Sequence, residues 1–230
     1  MSSKFRYELP TRGGDVRHLG CLIGAAGALE CAEMIERHQG PVVIITRDMQ
    51  NTLRLRDEIQ QFTQLPIETL SDWETLPYDN FSPHQEIISH RLSTLYRLPT
   101  MQKGVLILPV NTLMQKVCPS EFLASHALVM AKGDKLSRDN LRDELDKAGY
   151  RHVEQVLEHG EYATRGALLD LYPMGSALPY RIDFFDDEID SLRTFDVDSQ
   201  RTLEEVESIN LLPAHEFPTD KDAIERFRSQ

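Results

Sequence analysis

A chain of 230 residues has room for one large domain or two modest ones, and 37 acidic against 25 basic side chains give it a net charge of −12. That balance argues against gripping nucleic acid unaided, because a phosphate binder presents a basic face that displaces counterions. An apolar share of 40% and a charged share of 27% suit a soluble globular protein, and no apolar run reaches the length of a membrane span.

Cys21, Cys31 and Cys118 show no CxxC spacing and the eight histidines no HExxH, which argues against a disulfide framework or a zinc site. The N-terminus MSSKFRYELP lacks the apolar core of a secretory signal. A cytoplasmic protein with a protein partner, no cofactor and no membrane contact is the expectation.

The segment LGCLIGAAGALECAEMIERHQG reads as a short apolar strand, a glycine loop at Gly24 and Gly27, and a helix through His38. Strand, glycine loop and helix form the scaffold of a phosphate-binding loop. The chemistry is missing. With Gly24 in the first glycine position, Leu29, Glu30 and Cys31 stand where a Gly, a Lys and a Thr belong. Glu30 would set negative charge where a polyphosphate sits, and Leu29 would keep backbone amides away from it. A dead nucleotide site is expected, with close packing as the ordinary reading of the glycines.

Residues 41–46 (PVVIIT) read as a parallel strand buried on both faces. Asp48 then caps a helix from Met49 to Phe62 with Leu53, Ile59 and Phe62 on its apolar side. A short strand at 67–70 follows. The loop SDWETLPYDNFSPHQ offers Trp73, Tyr78 and Phe81, which suit base stacking in type but lack basic neighbours, so they are expected to pin the loop to a core. A helix over 86–98, a strand over 105–110 and a short helix capped by Asn111 complete a β-α-β-α order, hence a parallel sheet.

The style changes after residue 126. A strand at 127–130 precedes a helix capped by Ser137 and stopped by Gly149. Strands are then expected over 153–156, 160–165, 167–172, 180–185 and 189–195, joined by short turns, before a returning extended segment over 201–212 and a last helix capped by Thr219. The pattern around Ser191 and Leu192 breaks alternation, as a bulge would. On the strand YRIDFF, Tyr180, Ile182 and Phe184 share a core face, which leaves Arg181, Asp183 and Phe185 outside. A Phe beside an Arg on a rigid strand has the composition of a protein-docking hot spot; a decorated surface is the plainer reading. The acidic run 183–190 lacks the spacing of a calcium loop, and a solvated turn explains it.

Two long stretches, GEYATRGALLDLYP and PYRIDFFDDEIDSLRTFD, with SQRTLEEV, resemble the UvrA-interaction domain of the excision-repair protein UvrB, and LIGAAGALECAEM resembles that protein's helicase motif I stripped of its catalytic residues. DMQNTLRLRDEI, SDWETLPYD, SPHQEIISHRLSTLYRLP and LLPAHEFPTDK are similar to the N-terminal module of bacterial transcription-repair coupling factors. The resemblance implies an α/β fold: a degenerate P-loop, RecA-like parallel-sheet domain like UvrB domain 1, over residues 1–125 and 210–230, with a small α+β UvrA-interaction domain inserted at 126–209. It implies a UvrB-mimicking adaptor that recruits UvrA through Arg165, Arg181 and Phe185. RNA polymerase, double-stranded DNA and ATP-driven translocation would belong to downstream domains, so this chain is expected not to be an enzyme. Residues 71–91 are too few for the long hairpin that UvrB threads into DNA, and the chain reads as a fragment of something longer. Two alternatives remain at this point: an atypical ATPase, and a structural module that masks its parent.

Overall fold

The computed structural model describes residues 9–75, 80–217, 225, 228 and 229. Its elements in chain order are α1 (Ala26–Arg37), β1 (Pro41–Thr46), α2 (Met49–Ile59), β2 (Ile67–Thr69), α3 (Gln85–Arg97), β3 (Gly104–Pro109), α4 (Val110–Leu113), α5 (Ser120–His126), β4 (Leu128–Ala131), α6 (Arg138–Lys147), β5 (Arg151–His152), β6 (Glu161–Arg165), β7 (Leu168–Leu171), β8 (Tyr180–Phe185), β9 (Glu188–Phe195), β10 (Thr202–Glu205) and β11 (Ser208–Leu211). The helix expected from Thr219 falls almost wholly outside the described residues, as does Tyr78. By contact the chain divides into two compact units, Met1–Leu70 with Thr100–Met114, and Ser71–Pro99 with Gln115–Gln230.

The first unit is built on a parallel sheet in the order β1-β3-β2. β3 is buried along its whole length, while α1 and α2 cover one face with Ala28, Ala32, Ile35 and Ile59 against Val105 and Ile107. Asp48 caps α2 by accepting from the Asn51 amide at 2.9 Å. The inward stripe of that helix runs through Thr52, Leu55 and Ile59 at helical spacing, so Leu53 and Phe62 lie in solvent rather than in the core. β1 departs from expectation too. Only Val42 and Ile44 meet the helices; Val43 and Ile45 are 55% and 53% exposed, because no second layer covers that face among the described residues. Gly104 is a required glycine, since a Cβ there would come within 2.5 Å of the Pro66 carbonyl at a φ of +135°.

The strand expected before Gly24 does not form. Leu19, Leu22 and Ile23 are exposed and find no ladder to satisfy their backbone, so α1 starts from an uncapped turn.

The second unit holds a six-stranded sheet in the order β10-β9-β8-β7-β6-β5, antiparallel except for β5 with β6, and a separate β11-β4 pair. The strand expected over 153–156 is instead Arg151–His152, and α5 is a helix the sequence pattern did not announce. One sheet face buries Tyr162, Leu169, Leu171, Ile182 and Leu192, and α6 reaches that side, where the Tyr162 hydroxyl donates to Asp146 at 2.6 Å. Between β8 and β9 the pairing steps from Asp183↔Ser191 to Phe184↔Ile189, leaving Asp190 unpaired as a bulge.

The units are drawn differently from the domains expected over 1–125 with 210–230 and over 126–209. α3 belongs with the second unit, where a buried pair ties it to the segment that follows β11. Arg91 donates through Nε to Glu216 Oε1 at 2.6 Å and through Nη2 to Oε2 at 3.3 Å, with neither side chain exposed. Its Nη1 donates to the Ser71 carbonyl, and its guanidinium carbon lies 4.2 Å from the centroid of Trp73, which is pinned as expected, whereas Phe81 of the same loop is 82% exposed and pins nothing. Beside the pair, burial and then Glu216 push the Cys118 thiol up to about 11.

Candidate docking face

Strand register decides which side chains share a surface. Across β6, β7, β8 and β9 one row is Arg165, Leu168, Asp183 and Ser191; the next of the same parity is Ala163, Asp170, Arg181 and Arg193. Arg165, Arg181 and Phe185 therefore point to one side of the sheet, opposite Ile182 and Phe184. With strands ~4.8 Å apart and residues ~3.3 Å apart along each, Arg165 and Phe185 each lie roughly 12–13 Å from Arg181. That is the footprint of one cluster of interface side chains.

The three differ in what holds them. Phe185 is 73% exposed at the mouth of the hairpin, opposite Glu188, and the turn that follows is closed by Asp186 at a φ of +54°, a conformation Asp tolerates. Arg165 is exposed, with Nη2 donating to the Glu154 carbonyl at 3.3 Å, and among the described residues it forms no ion pair. Arg181 is another matter. The expectation of a freely exposed guanidinium is corrected: its side chain is 16% exposed and bound at both Nε and Nη2 by Asp170, at 2.7 and 2.9 Å. Its guanidinium carbon sits 4.8 Å from the ring centroid of buried Phe195, and the hydrogen bonds to Asp170 raise its pKa.

Asp170 and the neighbouring Asp183–Arg193 pair, at 3.3 Å, were missed in the sequence. A signal existed: alternation along LLDL puts Asp170 on the outer face, at the level of Arg181. With those two pairs internally compensated, the described residues of the face offer Arg165 as an uncompensated cation, Phe185 as a large exposed ring, and the half-buried Leu168 between them.

The glycine loop is differently built from a phosphate cradle. Gly24 adopts a φ of +61°, but a Cβ at Gly24 or Gly27 would meet nothing within 4 Å. Glu30 does not face the loop opening as expected; it is 1% exposed, and neither carboxylate oxygen has a hydrogen-bond partner. Burial, then Glu33, raise its pKa against the opposing pull of Arg37. Cys31 is half-buried, with its thiol pushed up by burial and then by Glu30. Leu29 is half-buried on the same helix, so this turn presents no cation and no hard oxygen ligand from those three positions.

Comparison with known proteins bears on the same regions. Residues 128–217 match the family model described as the UvrB interaction domain. The chain is 74% identical over all of its 230 residues to the transcription-repair-coupling factor of Escherichia coli (strain K12), covering 20% of that protein, and 55% identical over 98% of its length to that of Haemophilus influenzae, again covering 20%. A factor of the same name from Staphylococcus haemolyticus is 29% identical over 90% of this chain. The chain thus spans about a fifth of the length of the curated relatives it matches. The chain as a whole is thus similar to the N-terminal fifth of the transcription-repair-coupling factors, with the UvrB interaction domain match falling in its second half.

Proposed function

We propose that this chain is the module through which a transcription-repair-coupling factor recruits UvrA, by presenting the surface UvrB would present. The supporting observation is that Arg165, Arg181 and Phe185 share one face of the sheet inside the matched region 128–217, with Phe185 left 73% exposed where a solvated turn has no use for it. The docking domain is assigned to 126–209, inserted into a degenerate P-loop domain. Glu30 and Leu29 in the Lys and Gly positions support a chain without nucleotide hydrolysis of its own. ATP-driven movement on double-stranded DNA and contact with RNA polymerase are assigned to the four fifths of the relatives that this chain does not span.

The test is the affinity of purified UvrA for the chain and its variants, read beside thermal melting. Phe185→Ala and Arg165→Ala should each weaken binding roughly 30-fold, the scale of about 2 kcal/mol hot-spot truncations. Both should melt within about 0.5 kcal/mol of wild type, as exposed substitutions do. Ile182→Asp, on the buried face, should instead unfold the domain. Wild-type affinity in both surface variants would remove the docking face from this position.

A further inference from the structure

We propose that Asp170 is the positioning residue of this face, and that through it Arg181 is limited to a single outward hydrogen bond while Arg165 supplies the free fork. The inference rests on the docking reading above. An arginine offers five N–H donors. In Arg181, Nε and one Nη2 proton are taken by the two Asp170 oxygens at 2.7 and 2.9 Å, and Nη1 is shared between the Gln200 carbonyl at 3.3 Å and Thr202 Oγ1 at 3.4 Å. One Nη2 proton is left. Asp170 is itself only 8% exposed, so a partner carboxylate that pulled Arg181 away would strand a desolvated charge. The geometry therefore fits a lone acceptor, a carbonyl or one carboxylate oxygen, set over the guanidinium edge.

Two consequences distinguish positioning from charge alone. A guanidinium already locked over Phe195 loses little side-chain freedom on docking, which favours binding without any added contact. Because Asp170 cancels its charge, Arg181 contributes little to long-range attraction, and the salt dependence of docking falls on Arg165.

The test uses the full chain with purified UvrA, across a range of sodium chloride, for Asp170→Asn, Asp170→Glu, Arg181→Lys, Arg165→Ala and Phe185→Ala. Asp170→Asn frees one positive charge on the face. An account based on net charge expects tighter binding to an acidic partner; positioning expects binding about tenfold weaker. Asp170→Glu, which keeps a carboxylate, should recover most of that loss. Arg165→Ala should flatten the salt slope, and Arg181→Lys should lower affinity while leaving the slope as it was. Should Asp170→Asn melt below the assay temperature, Arg181→Lys decides, since Lys keeps the ion pair but not the fork. Asp170→Asn or, in that case, Arg181→Lys binding like wild type or tighter overturns the inference while Phe185→Ala and Arg165→Ala still lose binding. If those two bind normally, the docking reading falls and the inference with it.

Discussion

The pair Arg91–Glu216 offers the most direct measure of what holds α3 in the second unit. Replacing Arg91 by Met removes two hydrogen bonds to the carboxylate, one to the Ser71 carbonyl and the stack on Trp73, and leaves Glu216 charged with no exposed side-chain surface. Breaking a buried pair from one side costs about 3–5 kcal/mol, because the partner's desolvation is then uncompensated. At about 2–4 °C per kcal/mol for a chain of this size, the melting midpoint should fall by roughly 6–20 °C. The double variant Arg91→Met/Glu216→Leu fills similar volume without a stranded charge and should regain most of the loss. Trp73 is the one tryptophan in the chain, so its fluorescence reports on this site alone. Thermal melts followed by that signal and by far-ultraviolet circular dichroism measure both variants. A single variant melting within a degree of wild type, or a double variant no better than the single, would refute the reasoning.

Glu30 supports an expectation of opposite sign. Its carboxylate is buried without partners, so Glu30→Leu should raise stability by about 1–2 kcal/mol, measured by urea unfolding. Because its folded pKa lies above the ordinary 4.5, folding favours its protonated form; its contribution is full below about that pH and is lost as pH rises through the folded value. Wild-type stability relative to Glu30→Gln should fall over that window, and parallel pH profiles would contradict it. Calorimetry with ATP or ADP and magnesium should give no heat of binding. Glu30→Lys should not restore it, since that side chain is turned into the core and Cys31 is not the oxygen ligand magnesium prefers; micromolar affinity in either protein would overturn this.

The outer face was legible where one strand's alternation sufficed. YRIDFF carries its own parity, so Phe185 outside and Ile182 inside followed from spacing alone. What was not legible depends on partners distant along the chain. Arg181 reads as exposed until β7 pairs alongside it and brings Asp170 opposite. Val43 and Ile45 read as buried because apolar β-branched runs suit a two-sided parallel strand, yet burial depends on which layer covers the sheet. Glu30 was judged by its position in a motif, whereas the rotation of α1 carries it under the helix. Arg91 gave no signal at all in a helix of mixed composition; only its meeting with Glu216, 125 residues away, explains its burial.

The unpaired Asp190 has a consequence for how this hairpin can vary in length. Ile189 and Leu192 are both buried though three positions apart, an odd interval that strict alternation would split between faces. The hairpin thus carries a spare residue. A chain lacking Asp190 would close the ladder with the same neighbours, Phe184 beside Ile189 and Asp183 beside Ser191, and both faces would keep their occupants. Removing Leu192 instead would use up the same spare residue, but would set Ser191 beside Ile182 on the core face and Asp190 beside Asp183. Gains and losses of one residue should therefore gather at this point, and their effect should be on the bend that lets Ile189 exchange backbone hydrogen bonds with Gly133 and Asp134, at 2.8 and 3.0 Å.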